Sequence, residues 1–466
     1  MKSLSILIIA FLSTMSISAQ DIAGQWYGQL KVQGIQLRLV FNITQTDKGL
    51  SATMDSPDQG AKGIPATVSF ENPLLKIEIP MAKIAYEGTL GQDNIIAGMF
   101  KQGGQSFPLN LSKTKIEKEK LLRPQDPTKP YPYHSEDISY SNEKAGITLA
   151  GSLTLPTKEG VYPAVILISG SGPQNRNEEL MGHKPFLVLS DYLTKNGIAV
   201  LRYDDRGTAM SKGDFKAATS ADFATDVEAA INYLKTRKEI DKKKIGLIGH
   251  SEGGLIAPMV ASQSKDVAYI VLLAGTGIPG DQLLLLQQKL VGKASGLSDA
   301  DLQKNEATNR IAFDIVKKSN STEQLNTDLT KYIGQALKEN PNAGKPAGMS
   351  DEAFVKLQVT QITTPWMQYF IKYNPAPALE KVSCPVLALN GEKDLQVPPK
   401  ENLEAIKKAL SKGGNKKSSI IELPNLNHLF QECKTGSPTE YATIEQTISP
   451  IALVEIVNWL RAQTMK

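Results

Sequence analysis

The sequence predicts a doubly wound, mostly parallel α/β sheet with a helical insertion, preceded by a small antiparallel β-domain. Three observations lead to this fold class. Short apolar runs alternate with helical patterns from about residue 136 to the C-terminus, which is typical of strands that pair in parallel. The alternation stops between about residues 278 and 381, where only helical periodicity appears. Residues 20–115 alternate apolar and polar positions without a long helical period, as half-buried strands do.

The first 19 residues are predicted to be a secretory signal peptide. Lys2 precedes a short apolar run, and Ala19 supplies the small residue expected before a cleavage site. We therefore expect a periplasmic or secreted protein that is cut after Ala19. No other apolar stretch approaches the ~18 residues that a membrane span needs. The formal net charge of +4 is too small to predict a nucleic-acid partner.

The β-domain is expected to end near residue 115 and to be followed by a linker. The segment Gln36–Ile43 alternates clearly, and the Gly-Gln-Trp-Tyr-Gly run at residues 24–28 resembles the opening of lipocalin-like barrels. Four prolines lie between residues 124 and 132. Proline-rich segments are stiff and extended, so we place a linker at residues 116–135.

The second domain, residues 136–466, is expected to begin with two β segments and to continue with alternating strands and helices. The strands are predicted from apolar runs bounded by polar or glycine-rich segments. The predicted segments are Asp137–Ser141, Ile147–Leu155, Ala164–Ile168, Ile198–Tyr203, Lys244–Ile248, Ile270–Leu273, Pro385–Leu389 and Ser419–Leu423.

A Gly-His-Ser-Glu-Gly motif at residues 249–253 lies between the strand Lys244–Ile248 and an apolar helix pattern at Leu255–Ala261. Strand, G-x-S-x-G and helix together describe a nucleophile elbow, a sharp turn that raises a serine hydroxyl above the sheet. The motif alone is short, and its flanking elements give it weight. The pattern predicts Ser251 as a nucleophile.

Two loops after later strands supply the partners that such a serine needs. Asp394 follows the strand Pro385–Leu389, and His428 follows the strand Ser419–Leu423. Open α/β sheets build their sites at the carboxyl ends of strands, so the three residues are expected to meet there. Of the four histidines, only His428 follows both the serine and the acid. His428 would take the serine proton, and Asp394 would orient the imidazole.

From about residue 136 onward, the chain resembles α/β-hydrolases of the carboxylesterase and serine aminopeptidase-like branch. The order Ser, Asp, His is that of the family, and Leu201–Gly207 is similar to its D-x-R-G turn. Ile168–Pro173 stands where relatives carry H-G-x, with Ser169 in place of the usual histidine. The resemblance implies hydrolysis through an acyl-enzyme, with an oxyanion hole formed by the backbone N–H of Glu252 and of Ser171 or Gly172.

Several other residues receive structural predictions. Asp205 and Arg206 are expected to form an internal ion pair, and His183 and His250 are expected to be structural. Cys384 and Cys433 are predicted to be free thiols, since their strand positions place them at opposite edges of the sheet. The side chain of Glu252 is left open between a surface position and a role at the site. The sequence lacks a Cys/His cluster with metal-ligand spacing, and no cofactor is expected.

The insertion resembles the lid of related enzymes and ends in an aromatic segment. Trp366, Tyr369 and Phe370 are predicted to form a wall of the substrate pocket. The favoured function is hydrolysis of small-molecule carboxylic esters. The first alternative is an aminopeptidase or acyl-peptidase, for which the lid offers carboxylates that could bind a substrate ammonium: Glu306, Glu323, Asp351 and Glu352. The remote alternative is a non-catalytic protein whose β-domain binds an apolar ligand. The oligomeric state is left open.

Overall fold

The structure is a computed structural model that describes residues 22–32, 35–47, 49–102, 105–117, 122–339, 345 and 349–464. The predicted signal peptide lies outside these residues. The described chain divides into two compact units, the first within residues 22–117 and the second from residue 122 onward. None of the described helices is long and apolar enough to cross a membrane.

The first unit is a closed antiparallel barrel of eight strands, each paired with the next in the chain. Pairing of the first and last strands, Tyr27 with Ser112 and Gly28 with Leu111, closes the barrel. The expectation of a small antiparallel β-domain is thereby confirmed. The strands are β1 Gly24–Val32, β2 Ile35–Thr46, β3 Gly49–Ser56, β4 Ala61–Glu71, β5 Leu74–Ile79, β6 Ile84–Leu90, β7 Ile96–Gln102 and β8 Gln105–Ser112.

Large side chains fill the barrel interior. Trp26, Phe41 and Tyr86 are almost fully buried, and the rings of Phe41 and Tyr86 stack at 5.7 Å. The Tyr86 hydroxyl lies 3.1 Å from the carbonyl oxygens of both Ile96 and Leu109. A buried phenol needs such acceptors, so the polar group at the centre of this core is satisfied by the barrel itself.

The second unit is built on an eight-stranded sheet with the order β16-β15-β14-β13-β11-β12-β10-β9. Strands β11 to β16 pair in parallel, whereas β9 and β10 are antiparallel. The predicted doubly wound, mostly parallel sheet is confirmed. The strands are β9 His134–Asn142, β10 Ile147–Leu155, β11 Tyr162–Ile168, β12 Ala199–Tyr203, β13 Ile240–His250, β14 Tyr269–Leu273, β15 Val386–Gly391 and β16 Ser418–Leu423.

Helices cover both faces of this sheet. One face packs against α2 (Ser220–Thr236), α3 (Glu252–Ala261) and α10 (Pro399–Lys412), and the other against α1 (Pro185–Lys195) and α11 (Pro450–Thr464). Because both faces are buried, the central strands are continuously apolar instead of alternating. The strand order reverses beside β11 and β13, which is where open α/β sheets form their binding crevice.

A helical insertion separates β14 from β15, as the sequence predicts. Its helices have a hydrophobic core of their own, centred on Phe313, Val316 and Leu329. Only short connections join the insertion to the sheet. The helices are α4 Gly280–Ala294, α5 Asp299–Lys318, α6 Thr322–Glu339, α7 Asp351–Ile362, α8 Pro365–Lys372 and α9 Ala376–Leu379.

Candidate active site

Ser251 occupies the sharp turn between β13 and α3. Its backbone has φ of 53° and ψ of −115°, a region that non-glycine residues seldom adopt. Hydrogen bonds fix this conformation, because the Ser251 N–H donates to the Leu273 carbonyl at 2.8 Å and the Gly254 N–H donates to the Ser251 carbonyl at 2.9 Å. A strained backbone that its surroundings hold in place is a common feature of reactive residues.

The glycines of the motif are required by close packing around this turn. A Cβ atom on Gly249 would collide with the Gly253 carbonyl, and one on Gly253 would collide with the Ile168 carbonyl. A Cβ atom on Gly254 would lie 2.6 Å from the Cα of Gly275. The helix α3 therefore contacts β11 and the chain after β14 through bare backbone, which explains the glycine spacing on both sides of the serine.

Asp394 and His428 form a buried hydrogen-bonded pair at the same edge of the sheet. The Oδ2 atom of Asp394 lies 2.8 Å from Nδ1 of His428. The other carboxylate oxygen accepts the backbone N–H groups of Gln396 at 2.8 Å and Val397 at 2.9 Å, and Asn390 donates to Oδ2 at 3.2 Å. These bonds fix the carboxylate, so it orients the imidazole with Nδ1 as the donor and Nε2 as the basic nitrogen.

The loop that carries His428 contacts the nucleophile elbow directly. The rings of His250 and His428 are 4.8 Å apart, and Nε2 of His250 lies 3.0 Å from the carbonyl oxygen of His428. Among the described residues, the Ser251 hydroxyl has no hydrogen-bond partner. In the absence of substrate, catalytic hydrogen bonds are often long or poorly aligned. The structure thus brings the serine, the acid and the histidine of the sequence prediction to one edge of the sheet.

The predicted oxyanion donors belong to two segments that adjoin Ser251. Glu252 is the first residue of α3, so its N–H has no acceptor within the helix. We call residues 169–173, which follow β11, the oxyanion loop. A Cβ atom on Gly170 of this loop would lie 3.2 Å from the Cβ of Ser251, and Ser171 and Gly172 follow immediately. Gly172 has φ of 95°, which favours glycine at that position.

The predicted ion pair between Asp205 and Arg206 is wrong. The Arg206 guanidinium binds Asp226 with distances of 2.7 and 2.9 Å. Asp205 instead accepts the hydroxyl of Ser169 at 2.7 Å and the Gln174 N–H at 2.9 Å. Adjacent residues in the turn after β12 face different neighbours, which spacing alone does not reveal. Burial is the main cause that raises the pKa of Asp205 to about 8.

The side chain of Glu252 is buried, with 3% of its surface exposed. Its Oε1 atom accepts hydrogen bonds from the Ser220 hydroxyl at 2.6 Å and from Nε1 of Trp366 at 2.7 Å. Burial raises the pKa of Glu252, and these two donors oppose the rise. Trp366 belongs to α8 of the insertion. A single carboxyl group therefore connects the helix after the nucleophile to the insertion.

The other two predicted pocket residues have different surroundings. Phe370 is buried and stacks on Trp366 with ring centroids 5.1 Å apart, while Tyr369 is half-buried and stacks on Tyr373 at 5.5 Å. A Cβ atom on Gly280 would collide with the Phe370 carbonyl. The aromatic segment thus packs closely against the start of the insertion, and Trp366 is the member that reaches the elbow.

Sequence reasoning missed Glu178 as a residue of the site. Its Oε1 atom accepts the Gly170 N–H at 2.7 Å and lies 2.9 Å from Nδ1 of His250. Glu178 stands in a polar stretch without a recognisable motif, and its φ of 51° is visible only in the structure. His250 and His183 are both buried, as expected of structural histidines, although His250 contacts the loop that carries His428.

The lid carboxylates that could bind a substrate ammonium are exposed to solvent or paired with a cation. Glu323, Asp351 and Glu352 are exposed. Asp351 pairs with Lys345, and Glu306 pairs with Arg310 at 2.7 Å. Within the described part of the chain, no cluster of three or more His, Cys, Asp or Glu residues is arranged to hold a metal ion. Both cysteines are free, as predicted.

The profile of the X-Pro dipeptidyl-peptidase (S15) family matches residues 121–423, about two thirds of the chain. The chain belongs to this family. It is 27% identical over 375 residues to Esterase EstD of Thermotoga maritima, covering 80% of this chain and 75% of that protein. It is also 27% identical over 269 residues to an uncharacterised 31.7 kDa protein of Escherichia coli, covering 56% and 83% of the two chains.

Among solved structures, the α/β hydrolase GrgF from Penicillium sp. sh18 superposes with a TM-score of 0.44 and 16% identity, covering 72% of this chain and all of that one. The S15 family and the esterase relative agree with the elbow geometry described above. The protein is a serine hydrolase of the α/β-hydrolase fold.

Proposed function

We propose that this protein hydrolyses small-molecule carboxylic esters through Ser251, His428 and Asp394. His428 takes the proton of the Ser251 hydroxyl as the serine attacks the ester carbonyl. Asp394 holds the imidazole tautomer and stabilises the imidazolium without becoming protonated. His428 then gives the proton to the alkoxide oxygen as the ester C–O bond breaks. The alcohol departs, and the acyl group stays on Ser251. A water molecule, activated by the same histidine, releases the acid.

The tetrahedral intermediates need two donors for the oxyanion. The N–H of Glu252 is one, and the N–H of Ser171 or Gly172 in the oxyanion loop is the other. The Gly170 N–H is committed to Glu178, so the donor from this loop follows Gly170 in the chain. Each such donor typically contributes about 3 kcal/mol to transition-state stabilisation.

One observation supports esters over peptides with a free N-terminus: the carboxyl groups around Ser251 are engaged within the protein. Glu252 binds Ser220 and Trp366, and Asp394 binds His428. Glu178 binds Gly170 and His250 through Oε1, while its Oε2 atom has no partner among the described residues but is buried. An exopeptidase needs a carboxylate that is available to a substrate ammonium, since an unpaired charge is costly to bury. An ester carries no such charge and fits these surroundings. The esterase named among the relatives points the same way.

The second candidate is a peptidase that removes residues from a free N-terminus, and the family name favours it. In that case a carboxylate of the insertion would have to approach the elbow. Glu306 is the only one of the four lid candidates that is not fully exposed, and it is paired with Arg310. Among the described residues, none of these four side chains hydrogen-bonds to the elbow, so the contacts on which the peptidase would depend lack support in the structure.

Export to the periplasm or the medium is part of the proposal, and it is based on the composition of residues 1–19. The charged start, the apolar run and Ala19 are those of a cleavable signal. Mass spectrometry of the mature N-terminus of protein from a cell fraction would test it. A chain that begins at Gln20 in the exported fraction supports it, and an uncleaved chain in the cytosol contradicts it.

The substrate class is tested with one purified sample and two substrate panels. Nitrophenyl esters of increasing acyl length are compared with aminoacyl and X-Pro nitroanilides, with Ser251→Ala as the control for background hydrolysis. Turnover of esters without turnover of anilides is the expected result. Turnover of X-Pro anilides with a higher kcat/KM than any ester would replace the proposal by the peptidase.

A further inference from the structure

Glu178 and His250 form a buried pair beneath the nucleophile elbow. Oε1 of Glu178 lies 2.9 Å from Nδ1 of His250 and 2.7 Å from the backbone nitrogen of Gly170. Nε2 of His250 lies 3.0 Å from the carbonyl oxygen of His428. His250 also immediately precedes Ser251 in the chain. The pair thus connects the elbow, the oxyanion loop and the loop that carries His428.

The contacts of His250 fix the number of protons that the pair holds. A carbonyl oxygen can only accept, so Nε2 of His250 must carry a proton. A second hydrogen must lie between Nδ1 and Oε1, because two lone pairs at 2.9 Å would repel each other. The pair therefore holds one proton more than a carboxylate beside a neutral imidazole. That proton resides on His250 as an imidazolium or on Glu178 as a carboxylic acid.

The surrounding charges place the extra proton on His250. Both side chains are buried, with 5% of Glu178 and 7% of His250 exposed. Burial alone would lower the pKa of His250, but the carboxylates of Glu178 and Asp394 outweigh it and raise that pKa. Asp205 faces Glu178 from the turn after β12, and the His428 ring lies beside His250. Glu178 and Asp394 are therefore the carboxylates that favour the proton on His250, since Asp205, with a pKa of about 8, is itself mostly protonated at neutral pH.

We propose that His250, protonated throughout the neutral pH range, and Glu178 are a positioning pair that aligns the oxyanion loop and the His428 backbone on Ser251, an inference that rests on the proposed catalytic site. The imidazolium donates to both loops at once, to Glu178 on one side and to the His428 carbonyl on the other. A neutral imidazole has a single N–H and can donate to one of them only.

Glu178→Gln tests the role of the proton. The same atom of Glu178 meets both the Gly170 N–H and Nδ1 of His250. An amide oxygen at that position serves both donors while His250 is protonated. Once His250 is neutral, an amide nitrogen would have to face Nδ1, and Gly170 would lose its acceptor. Loss of the carboxylate also lowers the pKa of His250, since burial then dominates.

The readout is the rate at which a fluorophosphonate labels Ser251, measured between about pH 6 and pH 10 together with kcat on the best substrate. In the variant, both rates are expected to fall with increasing pH, by up to about tenfold per unit above the pKa of His250. The wild type is expected to show no such fall between about pH 6 and pH 8, because its carboxylate keeps His250 protonated there. Labelling does not depend on the substrate class, so it distinguishes failure of this inference from failure of the ester proposal.

Glu179→Gln is the matched control, because it makes the same change at the exposed neighbouring residue and is expected to keep the wild-type profile. A uniform loss of rate in a Glu178→Gln protein whose His250 still carries protons on both ring nitrogens would mean a structural role without the proton and would overturn the proposal. Rates equal to the wild type at every pH would overturn it as well.

A second measurement reads the protons of the wild-type protein directly and uses a variant only to assign the signals. With ¹⁵N-labelled histidine, the four imidazole rings can be resolved, and the His250 signals are those absent in His250→Gln. Both ring nitrogens of His250 are expected to carry protons at about pH 7.5, well above the usual histidine pKa of ~6.5. A His250 ring with one bare nitrogen at that pH would contradict the proposal.

Discussion

Replacing Trp366 with Phe would remove one hydrogen bond and keep an aromatic ring. Nε1 of Trp366 donates to the buried carboxyl of Glu252 at 2.7 Å, whereas the stacking on Phe370 is available to a phenylalanine too. A hydrogen bond to a buried carboxyl group contributes about 1–3 kcal/mol. We therefore expect the free energy of local opening of α8 to fall by this amount. That fall corresponds to an opening equilibrium constant about 5- to 150-fold larger, and to amide exchange faster by the same factor.

Hydrogen exchange read by mass spectrometry measures this opening directly. Peptides that cover Pro365–Lys372 should exchange faster in Trp366→Phe, while peptides from α10 report on the rest of the fold. Trp366→Ala should give a larger effect, because it also removes the half-buried ring. Trp366→Ala should also alter kcat/KM unequally across esters of different acyl chain length, because we expect α8 to contact the acyl group.

Trp459→Phe is the matched control for this prediction. Trp459 lies in α11 and packs edge-on against Tyr269 with ring centroids 6.3 Å apart, on the opposite face of the sheet from α3. The Trp459→Phe variant should leave hydrogen exchange in α8 at the wild-type rate. If Trp366→Phe also left α8 exchange at the wild-type rate, the bond to Glu252 would not hold the insertion on the elbow, and the reasoning would be refuted.

Three further predictions concern the site. Ser251→Ala should abolish fluorophosphonate labelling and lower kcat by about 10⁴-fold or more with little change in Tm; persistent labelling would identify another serine. Asp394→Asn combined with His428→Gln should cost about as much as His428→Gln alone, because the residues act as a unit, and additive losses would argue against the pair. Burial raises the pKa of Asp205 to about 8, so between about pH 4 and pH 8 the folded chain holds a proton that the unfolded chain releases. Stability should therefore fall with rising pH in that window by up to about 1.4 kcal/mol per unit, and a Tm profile in Asp205→Asn as steep as that of the wild type would contradict this.

The features that sequence could predict are those that depend on local patterns. Continuous apolar runs indicate buried parallel strands, and the glycines around Ser251 mark a turn without room for side chains. Boundaries were less predictable: β13 begins at Ile240 instead of Lys244, and α3 begins at Glu252 instead of Leu255. Polar residues flank these elements, and their pairing depends on neighbouring strands.

Long-range polar contacts could not be predicted from the sequence. Glu178 contacts His250 across 72 residues, and Glu252 contacts Trp366 across 114. No spacing rule connects such positions, since the fold alone decides which loops meet. The same reason explains why the predicted ion pair between Asp205 and Arg206 was wrong. The partner of Arg206 is Asp226 in α2, not its neighbour in the chain.

The first helix of the insertion, α4, contacts the end of α8 at the point where the insertion leaves the sheet. The Gly280 N–H at the start of α4 donates to the Tyr373 carbonyl just after α8 at 3.0 Å, and Phe370 packs against Gly280 so closely that a Cβ there would collide. The strands on either side, β14 and β15, are paired with each other regardless of what lies between them. The segment from residue 280 to residue 373 thus begins and ends at the same place, beside β14 and β15. We expect that exchange of this one contiguous segment changes the substrate range without altering the sheet that positions the serine, the acid and the histidine.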